Sequence, residues 1–365
     1  MKALILAGGF GTRLRPLSCT RPKLLFPIAN RSMLDWTLER LSKSGIKDVV
    51  LAVNYMAEAL QRYFGRSRYG VKITYSRERM PLGTGGPIKM AEKILRGKET
   101  FFVLNGDVLC EIDYRDQLKA HKKNKALATI ALRAVKDTSR FGVVDIDDKN
   151  RIHRFVEKPK PEEAPSSLIN AGVYALEPTA LDYIPTGRKV STEREVFPKL
   201  ASEGKLYGYR YDGWWIDIGK PEDYVQANRA ALDRVAGSKP VIGKNVEIHP
   251  DARILPPSII GDNVRIESKV FVGQYTCIGD GCVLKSGSEV SHSIIFPHVW
   301  IDSFSSIQGA MIGEKVIIGQ FAKIGEGVLI GDNSIISEKV TLTKNVTVCP
   351  SKEVDESILE PRQVM

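Results

Sequence analysis

From Ile242 onward the chain places an aliphatic residue at every sixth position: Ile242, Ile248, Ile254, Ile260, Ile266, Val272, Ile278, Leu284 and Val290. The register slips by one residue to reach Ile295, Ile301 and Ile307, and slips once more at Ile312. It then runs on through Ile318, Ile324, Ile330, Ile336, Leu342 and Val348, nineteen hexads in all. A small or β-branched side chain follows four positions later in most hexads, as at Val246, Ala252, Ser258, Thr276, Ala322, Ser334 and Val346, and glycine often follows directly, as at Gly243, Gly261, Gly313 and Gly331. A helix of about 3.6 residues per turn cannot sustain this period, which is the signature of a parallel β-helix of hexapeptide repeats. Such a rod stacks its aliphatic residues into one continuous interior, and its sides are available for association.

Residues 2 to about 235 read differently, as short apolar runs alternating with amphipathic segments, the pattern of an α/β domain with a mostly parallel sheet. KALILA (2–7), DVVLAV (48–53), FFVLNGDV (101–108) and INAGVYAL (169–176) are the strand candidates. Leu34, Leu38 and Leu41 share one helical face that Gly45 closes, and Pro221 opens a helix through Val235. Gly237-Ser238-Lys239-Pro240 breaks the pattern. The expected division is an α/β domain over 1–236, a linker over 237–241, and the rod with a C-terminal tail over 242–365.

Composition narrows the function classes. Hydrophobic residues at 43% and charged residues at 26% supply real cores and exclude a disordered or fibrous chain. There is no apolar run long enough to span a membrane, and the N-terminal apolar stretch is too short for a signal peptide, so a cytoplasmic protein without membrane partners is expected. Five cysteines without a CxxC pair, and five histidines without HxxxH or HExxH spacing, point to neither a disulfide framework nor a zinc site. The net charge of +10 is scattered, without a block of five basic residues, which argues against nucleic acid and fits a small phosphorylated ligand.

The first strand runs straight into Gly8-Gly9-Phe10-Gly11-Thr12-Arg13-Leu14-Arg15-Pro16. Glycines let backbone N–H groups approach a phosphate closely, and the arginines add positive charge, so this is a candidate phosphate loop. It is neither a Walker A loop, which ends in GK[ST], nor a dinucleotide fingerprint, which needs glycine where Leu14 stands. The continuation Arg21-Pro22-Lys23, Phe26-Pro27 and Asn30 completes a segment that resembles the signature GGxGTRLxPLTxxxPKPxxP of the nucleoside-diphosphate-sugar pyrophosphorylases, a nucleotidyltransferase family. Leu24 and Ser32 depart from the prolines common there. The resemblance extends through Glu78 with PLGTGGP (81–87), FFVLNGDV, FGVV (141–144), RIHRFVEKP (151–159), INAGVY (169–174), EREVFP (193–198), GWWIDIGKPEDY (213–224) and the terminal PRQVM. It narrows toward the branch that joins GTP and mannose 1-phosphate into GDP-mannose and pyrophosphate, whose C-terminal rod is a left-handed β-helix.

That resemblance implies roles. The sugar phosphate is already an oxyanion, so the reaction needs no general base, only positioning and neutralisation of the charge that collects on departing pyrophosphate. Asp107 and Asp217 match metal-binding aspartates, which implies Mg2+. Arg13 and Lys23 match catalytic residues on the nucleotide phosphates, and Lys158 the catalytic lysine on the sugar phosphate. Gly8, Gly9, Gly11 and Thr12 match the nucleotide loop; Glu78, Gly83 and Thr84 match the nucleobase pocket; Gly142, Glu157, Asn170 and Gly172 match the sugar-phosphate side.

Other nucleotide and sugar pairs, UTP or dTTP with glucose or glucosamine 1-phosphate, share the first signature, and so would a non-catalytic sugar-nucleotide-sensing subunit. His292 and His298, six apart in the rod, raise a second, acyltransferase-like activity, although no acyltransferase motif surrounds them. The rod is expected to contribute association into a homo-oligomer and none of the chemistry, so that a chain ending near Gly237 would retain transfer activity.

Overall fold

A computed structural model describes residues 1–365. The chain packs as two compact units: Met1–Gly9 with Leu34–Asp217, and Phe10–Met33 with Ile218–Met365. No helix is long and apolar enough to cross a membrane.

The first unit is built on a ten-stranded sheet. Phe101–Asn105, Lys2–Ala7, Asp48–Val53 and Val71–Arg77 lie side by side in that order, all parallel. Successive residues of a strand face opposite sides, yet Ala3, Leu4 and Ile5 are each fully buried, and Val49 to Val53 nearly so, so these central strands are covered on both faces. This is why their sequences read as unbroken apolar runs. Leu168–Leu176 lies antiparallel to Phe101–Asn105 and is flanked on its other side by Ala128–Ala134 and then Leu206–Arg210. Its first residues also pair with Gly142–Ile146, which carries Ile152–Glu157 at the sheet's end. The expected helix forms over Met33–Lys43, with Leu34, Leu38 and Leu41 at most 1% exposed.

FFVLNGDV is not one strand. Phe101–Asn105 belongs to the large sheet, Gly106 and Asp107 form a turn, and Val108–Cys110 leaves to pair with Trp215–Asp217 in a separate two-stranded ribbon. Gly-Asp is turn chemistry inside an apolar run, and here the turn outweighs the hydrophobic continuity.

In the second unit, strands of two or three residues stack into three parallel sheets of eight, seven and six strands, a parallel β-helix consistent with the left-handed kind. The counted aliphatic residues meet coil upon coil: Ile260 pairs with Ile278, Ile278 with Ile295, Ile295 with Ile312 and Ile312 with Ile330, all in one buried core. Both register slips fall at the same corner of the rod, between Glu289–Ser291 and Ile294–Ile295 and again between Ser306–Gln308 and Met311–Ile312. Dropping one residue at one corner of two successive coils leaves all three sheets in register.

The recurring Gly-Asp pairs have a local cause. Asp262 accepts the Lys244 N–H at 2.7 Å, Asp280 that of Asp262 at 2.8 Å, and Asp332 that of Glu314 at 2.8 Å, each through Oδ1 to the coil before. A Cβ on Gly243, Gly261 or Gly313 would stand 2.5, 2.3 or 2.5 Å from those carboxylate oxygens, which only glycine avoids.

Phe10–Met33 packs within this second unit. Phe26 is fully buried, edge-on to Tyr224 and Phe296, and Tyr224 donates its hydroxyl to the Pro27 carbonyl at 2.6 Å. Asn228 accepts the Ala29 N–H at 2.9 Å, and Asn30 donates to the Ile278 carbonyl at 2.6 Å. The signature loop is thus fastened to the rod and to the Pro221–Val235 helix. Residues 236–238 form a turn tied to the helix end by Gly237 N–H donating to the Leu232 carbonyl, and the first rod strand is Val241–Ile242.

Candidate active site

Register places the first group of residues. Ala7, Val53 and Arg77 lie in one row across three parallel strands, so Gly8, Asn54 and Glu78 follow together at the carboxyl edge, where open α/β sheets hold ligands. Glu78 donates its N–H to the Val53 carbonyl. A Cβ on Gly8 would lie 3.3 Å from Glu78 Oε1 and 3.4 Å from Asn54 Cβ, so glycine keeps this edge open, and Gly9 beside it is exposed. The Glu78 carboxylate is 6% exposed and accepts the Leu82 N–H at 3.0 Å; burial pushes its pKa above the ordinary 4.5.

The Gly83–Thr84 turn is braced from a distant segment. Gly83 (φ +78°) bridges to Val190, whose carbonyl oxygen would meet a Gly83 Cβ at 2.3 Å. Thr84 Oγ1 donates to Glu193 Oε2 at 2.5 Å and accepts the Thr192 N–H at 2.9 Å. Its hydroxyl is spent inside the protein.

Asp107 and Asp217 come together through the ribbon. Val108 pairs with Asp217, and Asp107 directly precedes Val108. Asp217 does not cap the following helix, since Asp223 accepts the Gly219 and Lys220 N–H groups there. Arg140 stands 3.8 Å from Asp217 Oδ2. No group of three or more His, Cys, Asp or Glu forms a metal cage. Two aspartates at adjacent backbone positions are a donor set that suits an ion taking the rest of its shell from water and phosphate oxygens, as Mg2+ does.

On the sugar side of the expectations, Gly142 pairs with Glu157. Lys158 (φ +50°) donates its N–H to the Phe141 carbonyl and extends its ammonium, more than half exposed, 3.8 Å from Glu157 Oε1. Burial pushes the Glu157 pKa up, Glu193 adds to the rise, and Lys158 opposes it. The strand that carries Asn170 and Gly172 changes register between Asn170 and Tyr174, a bulge of the kind that re-aims groups at sites. Asn170 accepts the Gly172 N–H at 2.9 Å and donates to the Tyr174 hydroxyl at 3.0 Å. Trp215 Nε1–H donates to the Ala171 carbonyl at 2.9 Å, and its ring meets Phe141 edge-on. Beneath Gly172, Asn105 Oδ1 is buried without a partner.

Gly11, Thr12, Arg13 and Lys23 belong to the second unit. Gly11 (φ +61°) starts a single turn over Thr12–Leu14, with Arg13 exposed, and accepts the Ser18 hydroxyl at 2.8 Å. Lys23 opens a later turn, Lys23–Leu25, its Cβ 3.6 Å from where a Gly11 Cβ would be. His292 and His298 lie at different corners of the rod, His292 stacked on Tyr275, and share no site.

Sequence reading singled out neither Asn105, Arg140, Thr192 nor Glu193. Glu193 opens the matching EREVFP segment and Arg140 abuts FGVV, so a signal existed for both; the unpaired amide oxygen of Asn105 is visible only in three dimensions.

The nucleotidyl transferase family matches residues 2–234, and the GMPPB C-terminal domain matches residues 254–364. The chain is 38% identical to a probable mannose-1-phosphate guanylyltransferase 2 of Oryza sativa subsp. japonica, and 38% identical to the mannose-1-phosphate guanylyltransferase catalytic subunit beta of Danio rerio, in both cases over the whole of both chains. Among solved structures, a putative glucose-1-phosphate thymidylyltransferase of Bacillus anthracis covers 63% of this chain and 95% of its own at 27% identity (TM-score 0.59). HddC of Yersinia pseudotuberculosis, complexed with GMP-PN, covers 63% and 98% at 32% identity (TM-score 0.54).

Proposed function

The chain belongs to the nucleotidyl transferase family, and from that footing we propose that it transfers GMP from GTP to mannose 1-phosphate, giving GDP-mannose and pyrophosphate. The observation that carries this reading is full-length similarity, rod included, to mannose-1-phosphate guanylyltransferases.

An oxygen of the sugar phosphate attacks the α-phosphorus of GTP; that P–O bond forms as the bond to the β-phosphate breaks, and pyrophosphate leaves with the electron pair. The nucleophile is already ionised, so positioning and charge neutralisation do the work. Lys158 holds the sugar phosphate as a compact cation, with Glu157 and Asn170 toward the sugar hydroxyls. Arg13 and Lys23, with the backbone of Gly8, Gly9, Gly11 and Thr12, hold the nucleotide phosphates. Glu78 and the Gly83–Thr84 backbone accept and donate to the guanine edge. A divalent metal, magnesium in this proposal, would be held by Asp107 and Asp217 and supplies charge neutralisation at the phosphates.

The reading places the protein in the cytoplasm as a homo-oligomer. Trp300, Ile317 and Ile335 stack in register on three successive coils at 40%, 44% and 39% exposure, an apolar stripe suited to a second copy. Light scattering should give a mass above the 40.5 kDa of one chain, and Ile317→Lys should lower it.

Pyrophosphate release from GTP, UTP, dTTP and ATP with mannose, glucose and glucosamine 1-phosphates tests the activity. GTP with mannose 1-phosphate should be fastest. A preference for UTP or dTTP with glucose or glucosamine 1-phosphate would overturn the specificity, and silence with every pair would favour a sensing subunit.

A further inference from the structure

The signature carries four basic residues, Arg13, Arg15, Arg21 and Lys23, and composition cannot say which meet phosphate. Arg21 is already engaged. One of its terminal nitrogens lies 2.6 Å from Asp332 Oδ2 and 2.7 Å from Glu314 Oε2, and its guanidinium lies over the Phe296 ring, 4.8 Å from the centroid. Thr20 donates its hydroxyl to the same Asp332 oxygen at 2.7 Å.

Asp332 thereby differs from its counterparts in the rod. Asp262 and Asp280 make the same corner bond through Oδ1, yet Asp262 is only half-buried and Asp280 exposed. Asp332 makes that bond and is 4% exposed, because its second oxygen is covered by Thr20 and Arg21. The rod corner therefore needs an aspartate there, but it does not need a buried one.

We propose that Asp332 and Glu314 are positioning residues for nucleotide use: by holding Thr20 and Arg21 they set the backbone from which Lys23 and the Gly11–Arg13 turn meet the phosphates. Pro22 is the single residue between Arg21 and Lys23, and its fixed φ passes the placement on. On the far side of Lys23, Phe26, Ala29 and Asn30 are fastened to the same unit, so the segment is clamped at both ends. Neutralised by two carboxylates, Arg21 is the structural cation of the signature, and the β-helix is part of the apparatus that shapes the loop.

The inference rests on the nucleotide reading of that loop, and the test separates the two. Full-length Asp332→Asn and Glu314→Gln are compared with Asp280→Asn, which alters a corner without touching the loop. Hydrogen exchange over residues 10–26 and GTP affinity are measured alongside steady-state rates. Asp332→Asn should speed exchange in that segment and raise both the GTP dissociation constant and KM by about tenfold, leaving KM for mannose 1-phosphate within about twofold. Asp280→Asn should change neither. Exchange and GTP affinity in Asp332→Asn equal to those of Asp280→Asn overturn the proposal. If Asp332→Asn fails to fold, Arg21→Lys, which keeps the charge but loses the planar fork, is read in the same way. A wild-type chain that releases no pyrophosphate sinks the proposed activity, while exchange and GTP binding still decide the anchoring.

Discussion

A methyl group on Gly142 would stand 2.9 Å from Glu157 Oε2 and 2.5 Å from Phe155 Cζ, so the absence of a side chain on one strand sets the place of a carboxylate on the next. The Gly142 backbone is not in the left-handed region, and the constraint is one of space alone. Gly142→Ala should therefore fold and displace Glu157. Its KM for mannose 1-phosphate should rise about tenfold or more, with GTP use little changed. Unchanged sugar-phosphate kinetics would show that Glu157 has no part in holding the sugar.

Asp107→Asn and Asp217→Asn remove charge without changing size. Each should lower turnover on the order of a hundredfold while melting behaviour stays near wild type, because charge neutralisation carries this reaction. Near-normal rates in both at saturating magnesium would exclude the metal role.

Lys158 and Arg13 are assigned to different substrates. Lys158→Ala should raise KM for mannose 1-phosphate, and Arg13→Ala should raise KM for GTP. If both variants affected GTP alone, Lys158 would have been placed on the wrong substrate.

Two glutamates are held with raised pKa values, Glu78 by burial and Glu157 by burial together with Glu193. A carboxyl whose folded pKa lies above its unfolded value stabilises most below the ordinary 4.5 and loses that contribution as pH rises through the folded pKa. Glu157→Gln should therefore gain melting temperature over wild type as the pH rises above the ordinary 4.5, while losing activity with the sugar phosphate. A melting difference independent of pH would contradict the raised pKa.

What was legible in the sequence follows from how local each signal is. The rod could be counted, slips included, because each coil repeats the same local requirement, and the central strands could be read because both faces are buried. The break at Gly106-Asp107 was obscured by apolar residues on either side that serve different sheets. Glu193 under Thr84 and Asp332 against Arg21 join residues more than a hundred positions apart, and nothing in the hexad pattern marks one corner aspartate as special.

The bond from Arg21 to Asp332 also turns the rod into a ruler. Neighbouring coils are spaced by the inter-strand distance, about 4.8 Å, so inserting or deleting one coil between the Pro221–Val235 helix and Glu314 would carry both carboxylates beyond hydrogen-bonding reach of the loop. The same change beyond Ser351 would move nothing that touches it. Ancestral gain and loss of repeats should therefore have been confined to the distal end, and engineered lengthening of this protein has only that end on which to build.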